Sequence, residues 1–255
     1  MKRVATALAL IPIVVYVVLW ANFWIFLAVL VAVACLCYRE YDGIAAAYGY
    51  GAPGPAGYAA GLLLFAPIPE PWLLVTVFAL AALLLAMRAE NLADSLPGAA
   101  LRVLGILYVF GAWKCAIPLR DRSPHWLMFA LLVNWAGDIG AYYVGRAFGR
   151  HKLAERISPK KTWEGAIGSL AVSALIAGGY LLRFVSGIGI VPVVALTLTA
   201  NAAGQLGDLA ESAMKRGAGI KDSGALLPGH GGMLDRVDST LFALPVIYAY
   251  VRYLG

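Results

Sequence analysis

Residues 212–238 read SAMKRGAGIKDSGALLPGHGGMLDRVD, and this stretch separates two long apolar segments near the end of the chain. It holds four Lys or Arg residues, three Asp residues and one His, although only 13% of the chain is charged and 62% is hydrophobic. Cations mixed with carboxylates are what a site for a metal ion and phosphate groups requires. The stretch therefore predicts a functional polar loop between two apolar helices.

The composition around this loop is that of a membrane protein. The mean hydropathy is +0.79, whereas an ordinary soluble domain carries about 25% charged residues. A span needs about 20 mostly apolar residues, and on this basis we predict an all-α, polytopic integral membrane protein with about nine transmembrane helices. The expected spans are 4–20, 23–38, 56–68, 72–87, 99–118, 125–147, 164–184, 189–214 and 238–254.

The N-terminus resembles a signal peptide, because Met1-Lys2-Arg3 precedes an apolar run. That run continues to about Cys37, beyond the 7–15 residues of a signal-peptide core, so two anchoring helices with a turn near Ala21-Asn22 are expected. The three cysteines lie in apolar surroundings and indicate neither a disulfide framework nor a zinc site.

Positive charge predicts the orientation of the spans. With the N-terminus inside, fifteen Lys and Arg residues fall on the cytoplasmic side and four on the other side. This bias follows the positive-inside rule, which also accounts for the net charge of +6 without a nucleic-acid partner. The two charge-rich loops, 146–163 and 215–236, are then cytoplasmic.

Polar residues recur at helical spacing on three spans. The eighth span carries a stripe at spacings of four, three, four and three, beside Glu211; its members are Asn201, Gln205, Asp208, Ser212 and Lys215. The sixth span carries Asn134, Asp138 and Tyr142, and the ninth opens with Asp235, Asp238 and Ser239. Because lipid offers no polar partners, these faces must meet protein, water or a ligand.

Two interpretations of these faces are open. One is salt bridging between helices, for example between Asp208 and a nearby Arg. The other is a hard cation held by oxygen atoms, most simply Mg²⁺, which bridges one or two carboxylates to substrate phosphates. Zinc is not expected, because the three histidines are far apart in the sequence, and no GxxxxGK[ST] nucleotide loop occurs.

The second basic loop contains SPKKTWEG at 158–165, directly before an apolar span. A Ser or Thr followed by Glu and an apolar run is typical of a helix start. The loop is therefore either a helix cap with cytoplasmic positive charge, or a collar that binds phosphate or lipid headgroups.

The 212–238 stretch resembles the signature of the phosphatidate cytidylyltransferases, also called CDP-diacylglycerol synthases. Every element of that signature is present: Ser212, Met214, Lys215-Arg216, Lys221-Asp222, Gly224, Leu227-Pro228, His230-Gly231-Gly232, Met233, Asp235-Arg236, Val237 and Asp238. SPKKTWEG and GDIGAYYVGRAFG (137–149) also resemble the family, so the resemblance covers about 134–240. Before residue 130 it depends on hydropathy and on Arg39-Glu40 at the end of the second span.

The resemblance implies a nucleotidyltransferase of phospholipid biosynthesis that converts CTP and phosphatidic acid to CDP-diacylglycerol and pyrophosphate. It further implies dependence on Mg²⁺, with a second cation left open. The implied partners are CTP, phosphatidic acid and membrane lipid, with no nucleic acid, and a homodimer is expected. The implied location is the bacterial cytoplasmic (inner) membrane, with a multi-pass chain and the active site facing the cytoplasm.

The resemblance and the helical spacing together predict roles for individual residues in a direct in-line transfer. The catalytic candidates are Asp208, Lys215, Arg216, Lys221, Asp235, Arg236 and Asp238. The metal candidates are Asp208, Asp235 and Asp238. The substrate-binding candidates are Ser158, Lys160, Lys161, Ser212, His230, Gly231, Gly232 and Asp138. Lys160 and Lys161 are assigned to the lipid phosphate, and His230 either contacts phosphate or orders the glycine turn.

The predicted organisation is an N-terminal set of helices, 1–120, for support or dimerisation, and a catalytic region, 121–255. Three alternatives compete with this function. A CDP-alcohol phosphatidyltransferase is disfavoured because Ala47 stands where its DGxxAR motif needs Arg. A transporter with intramembrane carboxylates would favour an inverted repeat, and none is evident. A catalytically inactive homologue is disfavoured by the intact signature.

Overall fold

The structure is a computed structural model and describes residues 2–50, 54–68, 71–89, 91–226 and 231–255. These ranges contain nine helices and one two-stranded antiparallel sheet. The helices are α1 (Lys2–Leu19), α2 (Phe23–Ala47), α3 (Gly54–Leu63), α4 (Pro71–Ala86), α5 (Leu92–Arg122), α6 (Pro124–Phe148), α7 (Trp163–Phe184), α8 (Ile190–Gly217) and α9 (Leu234–Tyr253). The strands are β1 (Lys152–Ala154) and β2 (Ser158–Thr162).

The helical membrane architecture expected from the sequence is confirmed, but the number of spans is not. Within the described residues, five helices are long and apolar enough to cross a membrane: α2, α5, α6, α7 and α8. The apolar segments Leu10–Leu19 and Trp72–Ala86 are shorter, and α3 has only 10 residues. The prediction of about nine spans is therefore unconfirmed, although each predicted span overlaps one helix.

Several helices begin at residues whose side chains satisfy the free backbone N–H groups of the first turn. The Asn22 side chain accepts from Ile25 N–H at 2.9 Å before α2. Ser123 accepts from His125 N–H at 3.3 Å before α6, whose first residue is Pro124. Thr162 accepts from Gly165 N–H at 3.2 Å before α7. The helix-start interpretation of SPKKTWEG is thus confirmed at Thr162.

Helices α6 and α7 pack closely because small residues line their contact. A Cβ atom added at Gly140 would lie 2.5 Å from the carbonyl oxygen of Gly168, which is nearer than real Cβ contacts come. Small residues at such positions let two membrane helices approach each other. This close pair forms one side of the functional cavity described below.

Helices α5 and α7 each contain a π-helical segment, at Ile106–Gly111 and Ala174–Gly178. The first contributes Val109 and Phe110 to the core, where both are fully buried. One hydrophobic cluster runs from Val17 of α1 to Ile247 of α9. The core thus has no boundary at residue 120, and the predicted support and dimerisation role of 1–120 stays a prediction.

The helix ends that face away from the charged loops are joined by side-chain contacts. Arg120 of α5 donates to the carbonyl oxygens of Val18 and Ala21, and its guanidinium lies 4.5 Å from the ring centre of Phe26. The Tyr180 hydroxyl of α7 lies 2.7 Å from Nδ1 of His125 in α6. These contacts hold the bundle together at the end opposite the functional cavities.

The short sheet was not predicted from the sequence. Its strands pair Lys152 with Thr162 and Ala154 with Ser158. Glu164 stabilises the approach to the hairpin, because its carboxylate accepts from the N–H groups of Arg150 and His151 and lies 2.6 Å from Nδ1 of His151. The 146–163 loop therefore contains an ordered hairpin, and its Lys161 reaches Asp208 of α8.

Candidate active site

Two adjoining cavities lie where the C-terminal halves of α6 and α8 meet the first turn of α9. One has a volume of about 380 Å³ and the other about 360 Å³. We call them the polar cavity and the apolar cavity according to their linings. They share a wall of four residues, Asn134, Asp138, Asp208 and Ser239.

The polar cavity contains most of the charged residues that the sequence singled out. Its cations are Lys215, Arg216, Lys221 and Arg236, and its carboxylates are Asp138, Asp208, Asp222, Asp235 and Asp238. The structure thus brings all seven predicted catalytic residues to one cavity, six of them from α8 and α9 and Lys221 from the loop between these helices.

The apolar cavity lies between α6, α7, α8 and the hairpin. Small and aliphatic residues such as Ala141, Leu153 and Ala166 line much of it, and Arg146, Lys160 and Lys161 provide cations. Asn201, Gln205 and Ser169 also reach it. This combination suits an amphiphilic ligand with an anionic head and an apolar body.

Both carboxylate oxygens of Asp235 are paired within the protein. Oδ1 is paired with Lys215 Nζ, and Oδ2 accepts from the N–H groups of Ser223 at 3.0 Å and Gly232 at 2.8 Å. Its side chain is 5% exposed. In this arrangement Asp235 ties the loop after α8 to the first turn of α9.

Lys215 lies between two carboxylates. Its Nζ pairs with Asp235 and with Glu211, which is four residues earlier on α8 and completely buried. A buried carboxylate is tolerated when a cation compensates it, and removing one partner of such a pair is strongly destabilising. Among the described residues, the cations of the polar cavity that have no carboxylate partner are therefore Arg216, Lys221 and Arg236, whereas Lys215 is paired.

Asp208 connects the two cavities through an ion pair. Its Oδ2 lies 2.7 Å from Lys161 Nζ, and its Oδ1 accepts from the Ser212 hydroxyl at 3.4 Å. Both side chains of the ion pair keep solvent access, with 34% of Asp208 and 26% of Lys161 exposed. The sequence had left open a salt bridge from Asp208 to an Arg, and the observed partner is a Lys of the hairpin.

Asp138 and Asp238 have fewer internal partners. Asp238 Oδ1 accepts from the N–H of the adjacent Ser239 at 2.7 Å. Among the described residues, no side chain or backbone group pairs with the carboxylate of Asp138, which lines both cavities. These two carboxylates keep oxygen atoms available for a ligand.

The donor set fits a magnesium ion that is shared with a substrate. Among the described residues, no three His, Cys, Asp or Glu side chains form a ready metal cluster. Mg²⁺ however takes only one or two carboxylates and completes its shell with water and substrate phosphates. Asp138 and Asp208 on the shared wall meet that requirement, and the assignment of Asp208, Asp235 and Asp238 as metal ligands stays a prediction.

The predicted substrate-binding residues lie in several different parts of the structure. Lys160, Lys161 and Asp138 line the apolar cavity, whereas Ser212 contacts Asp208 from α8. Ser158 pairs with Ala154 in the hairpin and lines neither cavity. Gly231 has a φ of +80°, as a tight turn at a glycine allows. The N–H of Gly232 is donated to Asp235, and His230 lies outside the described residues.

A polar network lies beneath the shared wall. Asn201 donates to the Val133 carbonyl oxygen at 3.2 Å and contacts the hydroxyls of Ser169 and Ser173 at 3.1 and 2.9 Å. Gln205 donates to Asn201 at 2.7 Å. Asn201 and Gln205 of the α8 polar stripe are therefore hydrogen-bonded within the protein. This network fixes α6, α7 and α8 relative to one another.

Sequence reasoning missed the role of Glu40, although it noted Arg39-Glu40 at the end of the second span. The Glu40 carboxylate accepts from Met233 N–H at 2.8 Å, from Leu234 N–H at 2.7 Å and from the Ser223 hydroxyl at 3.0 Å. A carboxylate at the end of an apolar helix was the available signal, since such groups are costly without partners.

Comparisons with known proteins identify the family of this chain. The sequence profile described as "Cytidylyltransferase family" matches residues 1–254. A protein of Staphylococcus saprophyticus named phosphatidate cytidylyltransferase is 42% identical over 153 residues, which is 60% of this chain and 59% of that protein. Proteins with the same name from Staphylococcus haemolyticus and Bacillus subtilis are 44% and 40% identical over 154 and 148 residues. These alignments span 59% and 55% of those two relatives, less than two thirds of their length.

Proposed function

The chain belongs to the cytidylyltransferase family, and from that premise we propose that it is a phosphatidate cytidylyltransferase. The reaction joins CTP and phosphatidic acid to give CDP-diacylglycerol and pyrophosphate. One observation supports this assignment above all: a cation-rich cavity and an apolar cavity with its own lysines meet at a shared wall containing Asp138 and Asp208. Two substrates of unlike polarity can therefore react at that wall.

The polar cavity is the proposed site of CTP. Within the part of the chain that the structure describes, Arg216, Lys221 and Arg236 are its cations without a carboxylate partner, and a triphosphate needs several such donors. Arg216 also donates to the Ile220 carbonyl oxygen at 3.0 Å, which orients its guanidinium beside the loop. These three side chains would neutralise the charge that develops on the departing pyrophosphate.

The apolar cavity is the proposed site of the phosphatidic acid headgroup. Lys160 and Lys161 come from strand β2, and Arg146 comes from the end of α6. Lys161 is already paired with Asp208, so a lipid phosphate bound there would lie beside the shared wall. The helices α6, α7 and α8 that line this cavity are each long enough to span a membrane, which suits a substrate arriving from the bilayer.

The proposed reaction is a direct in-line transfer. An oxygen of the phosphatidic acid phosphate forms a bond to the α-phosphorus of CTP, and the bond from that phosphorus to pyrophosphate breaks. The attacking phosphate is ionised at neutral pH, so no side chain has to remove a proton. The protein's contribution is then to position the two phosphates and to stabilise charge.

Mg²⁺ is proposed to bind at Asp208, with Asp138 or Asp238 as the second carboxylate. When bound there, it would neutralise phosphate charge and orient the triphosphate. Asp235 would act on this site through Lys215 and the loop, because both of its oxygens already accept hydrogen bonds or pair with Lys215. Whether a second cation binds is decided by metal titration of the CTP complex.

The proposed location is the bacterial inner membrane, with both cavities at the cytoplasmic side and a homodimer as the assembled form. The positive-inside bias supports this orientation, since the hairpin and the 215–236 loop are rich in Lys and Arg. Cysteine labelling from either side of the membrane tests the orientation, and light scattering of the purified protein tests the dimer.

The activity is tested by measuring pyrophosphate release from the purified protein with CTP, phosphatidic acid and Mg²⁺. Release should require both substrates and should stop when the metal is chelated, with CDP-lipid formed in equal amount. ATP in place of CTP and diacylglycerol in place of phosphatidic acid are the matched negative controls. If the folded protein releases no pyrophosphate in any lipid preparation, the proposed function is wrong.

A further inference from the structure

Glu40 is a buried carboxylate in the N-terminal half of the chain that contacts the polar loop of the C-terminal half. It lies near the end of α2 and is only 8% exposed. Its three hydrogen bonds reach Ser223 on one side of the loop and Met233 and Leu234 on the other. Glu40 lines neither the polar nor the apolar cavity, so it lies behind the loop rather than among the groups that would touch substrate.

Helix α9 relies on Glu40 for its N-terminal cap. The residue before the helix is Met233, whose side chain makes no capping hydrogen bond. Glu40 accepts from the first N–H groups instead, and a carboxylate at a helix N-terminus gains from both charge-assisted hydrogen bonds and the helix dipole. The start of α9 is therefore located by a residue of α2.

Two glycines of the polar loop leave space for this carboxylate. A Cβ atom added at Gly232 would lie 2.3 Å from Glu40 Oε2, and one added at Gly224 would lie 2.7 Å from Glu40 Oε1. At these distances a side chain at either position would force the Glu40 carboxylate to move. The small residues at 224 and 232 are thus explained in part by contact with Glu40, independently of any approach to phosphate.

Glu40 and Asp235 make parallel sets of bonds across the same loop. Asp235 accepts from the backbone N–H of Ser223, and Glu40 accepts from its hydroxyl. Asp235 accepts from Gly232 N–H, and Glu40 accepts from the next two N–H groups. The two carboxylates together fix the distance between the Ser223 side of the loop and the first turn of α9.

We propose that Glu40 is a positioning residue of the reaction, acting through the first turn of α9 on Arg236 and Asp238. This inference rests on the proposed function, since it assigns those two side chains to a reacting site. A shift of about 1 Å in a positioned group can cost about 100-fold in rate. Removing the Glu40 carboxylate should therefore lower kcat, although Glu40 itself does not touch substrate.

The test compares Glu40→Gln and Glu40→Ala with Glu155→Gln, which makes the same chemical change at an exposed residue of the hairpin turn. We expect kcat to fall about 10-fold for Glu40→Gln and about 100-fold for Glu40→Ala, with KM for CTP raised in both. KM for phosphatidic acid should stay near that of the wild type, and kcat and KM are measured per folded molecule because loss of a helix cap also lowers stability. Glu155→Gln should behave as the wild type.

A purely structural role would give a different result. If Glu40→Ala lowers the unfolding temperature and the yield of folded protein, while kcat and KM per folded molecule are unchanged, the positioning role is wrong. Wild-type kinetics for folded Glu40→Ala would also overturn it.

Hydrogen exchange separates this inference from the proposed function. Peptides covering 231–238 should exchange faster in Glu40→Gln than in the wild type, whereas peptides of α6 and α7 should not change. If the wild type has no transferase activity, the proposed function is wrong. The role of Glu40 is then decided by two measurements on Glu40→Gln: a weaker affinity for CTP and faster exchange at 231–238 would support it. Unchanged hydrogen exchange at 231–238 together with unchanged CTP affinity in Glu40→Gln would overturn the positioning role of Glu40.

Discussion

The polar and the apolar cavity share Asn134, Asp138, Asp208 and Ser239, but the remainder of their linings comes from different parts of the fold. The polar cavity is completed by the end of α8, the following loop and the first turn of α9. The apolar cavity is completed by α6, α7 and the hairpin. Charge is dense in the first, whereas the second has three cations and the two carboxylates of the shared wall. Under the proposed function, each substrate is therefore bound by different helices and loops, and the chemistry is confined to the shared wall.

The same comparison separates two kinds of carboxylate. Asp235, Glu211 and Glu40 are held by lysine or by backbone N–H groups and stabilise the loop and the helix start. Asp138 and Asp208 face both cavities, and although Asp208 pairs with Lys161, both of those side chains keep solvent access. Substitutions in the shared wall should therefore affect both substrates, whereas substitutions in one lining should affect one substrate only.

The largest effect is expected from Asp208→Asn, which removes charge from the shared wall. Its carboxylate pairs with Lys161 and is a proposed metal ligand, so kcat should fall about 1000-fold, in the range found for loss of a key electrostatic group. Pyrophosphate release at saturating CTP and phosphatidic acid measures this. Asp121→Asn, at an exposed residue of the opposite end, is the control. A loss smaller than about 10-fold would contradict the central role of the shared wall.

The next effect is expected from Arg236→Gln, which changes the polar cavity alone. A charge-assisted hydrogen bond contributes about 1.5–3 kcal/mol, so KM for CTP should rise about 10- to 100-fold. KM for phosphatidic acid should be unchanged. Steady-state kinetics with each substrate varied in turn provide the measurement, and Arg122→Gln at the far end of α5 is the control. An equal rise in both KM values would mean that the cavities do not separate the substrates.

A smaller effect, on the other substrate, is expected from Lys160→Gln, which changes the apolar cavity alone. One lysine near a membrane surface contributes about 1 kcal/mol to binding of anionic lipid, so KM for phosphatidic acid should rise about 5-fold. KM for CTP should stay at its wild-type value. Arg156→Gln is the matched control, since Arg156 is exposed in the same hairpin and lines neither cavity. A change in KM for CTP would place Lys160 with the nucleotide instead.

The smallest effect is expected from Tyr142→Phe at the rim of the apolar cavity. The variant loses the hydrogen bond that Arg146 donates to the Tyr142 hydroxyl at 2.9 Å. Because that bond is exposed, its loss should raise KM for phosphatidic acid by about 2-fold at most. The same lipid-dependent kinetics measure this. A rise of about 10-fold in KM for phosphatidic acid would show that Tyr142 and Arg146 at the rim contribute more to headgroup binding than Lys160 does.

The sequence predicted the polar helix faces that contribute to the shared wall, because their members follow helical spacing. Asn134 and Asp138 lie four residues apart on α6, and Asp208 continues the polar stripe of α8, so a periodic pattern was enough to place each of them on a polar face of its helix. Asp235 and Asp238 were likewise expected on the first turn of the last helix. Local periodicity carries this information without knowledge of how the helices pack.

The sequence did not predict the contacts that determine which of these groups are free. The Lys161 partner of Asp208, the hairpin that presents it and the cap that Glu40 provides all join residues far apart in the chain. Such contacts depend on tertiary packing, and no spacing rule describes them. Asp235 illustrates the difference: its position was predicted, but its engagement by Lys215 and two backbone N–H groups was not.

The bond between α2 and α9 also has a consequence for biosynthesis. Glu40 is synthesised 193 residues before Met233, so the second helix enters the membrane long before its charged side chain can find its partners. During that interval the carboxylate must remain at the aqueous boundary, because an unpaired charge within the lipid is costly. Translation that stops before α9 would leave Glu40 without the helix that it caps.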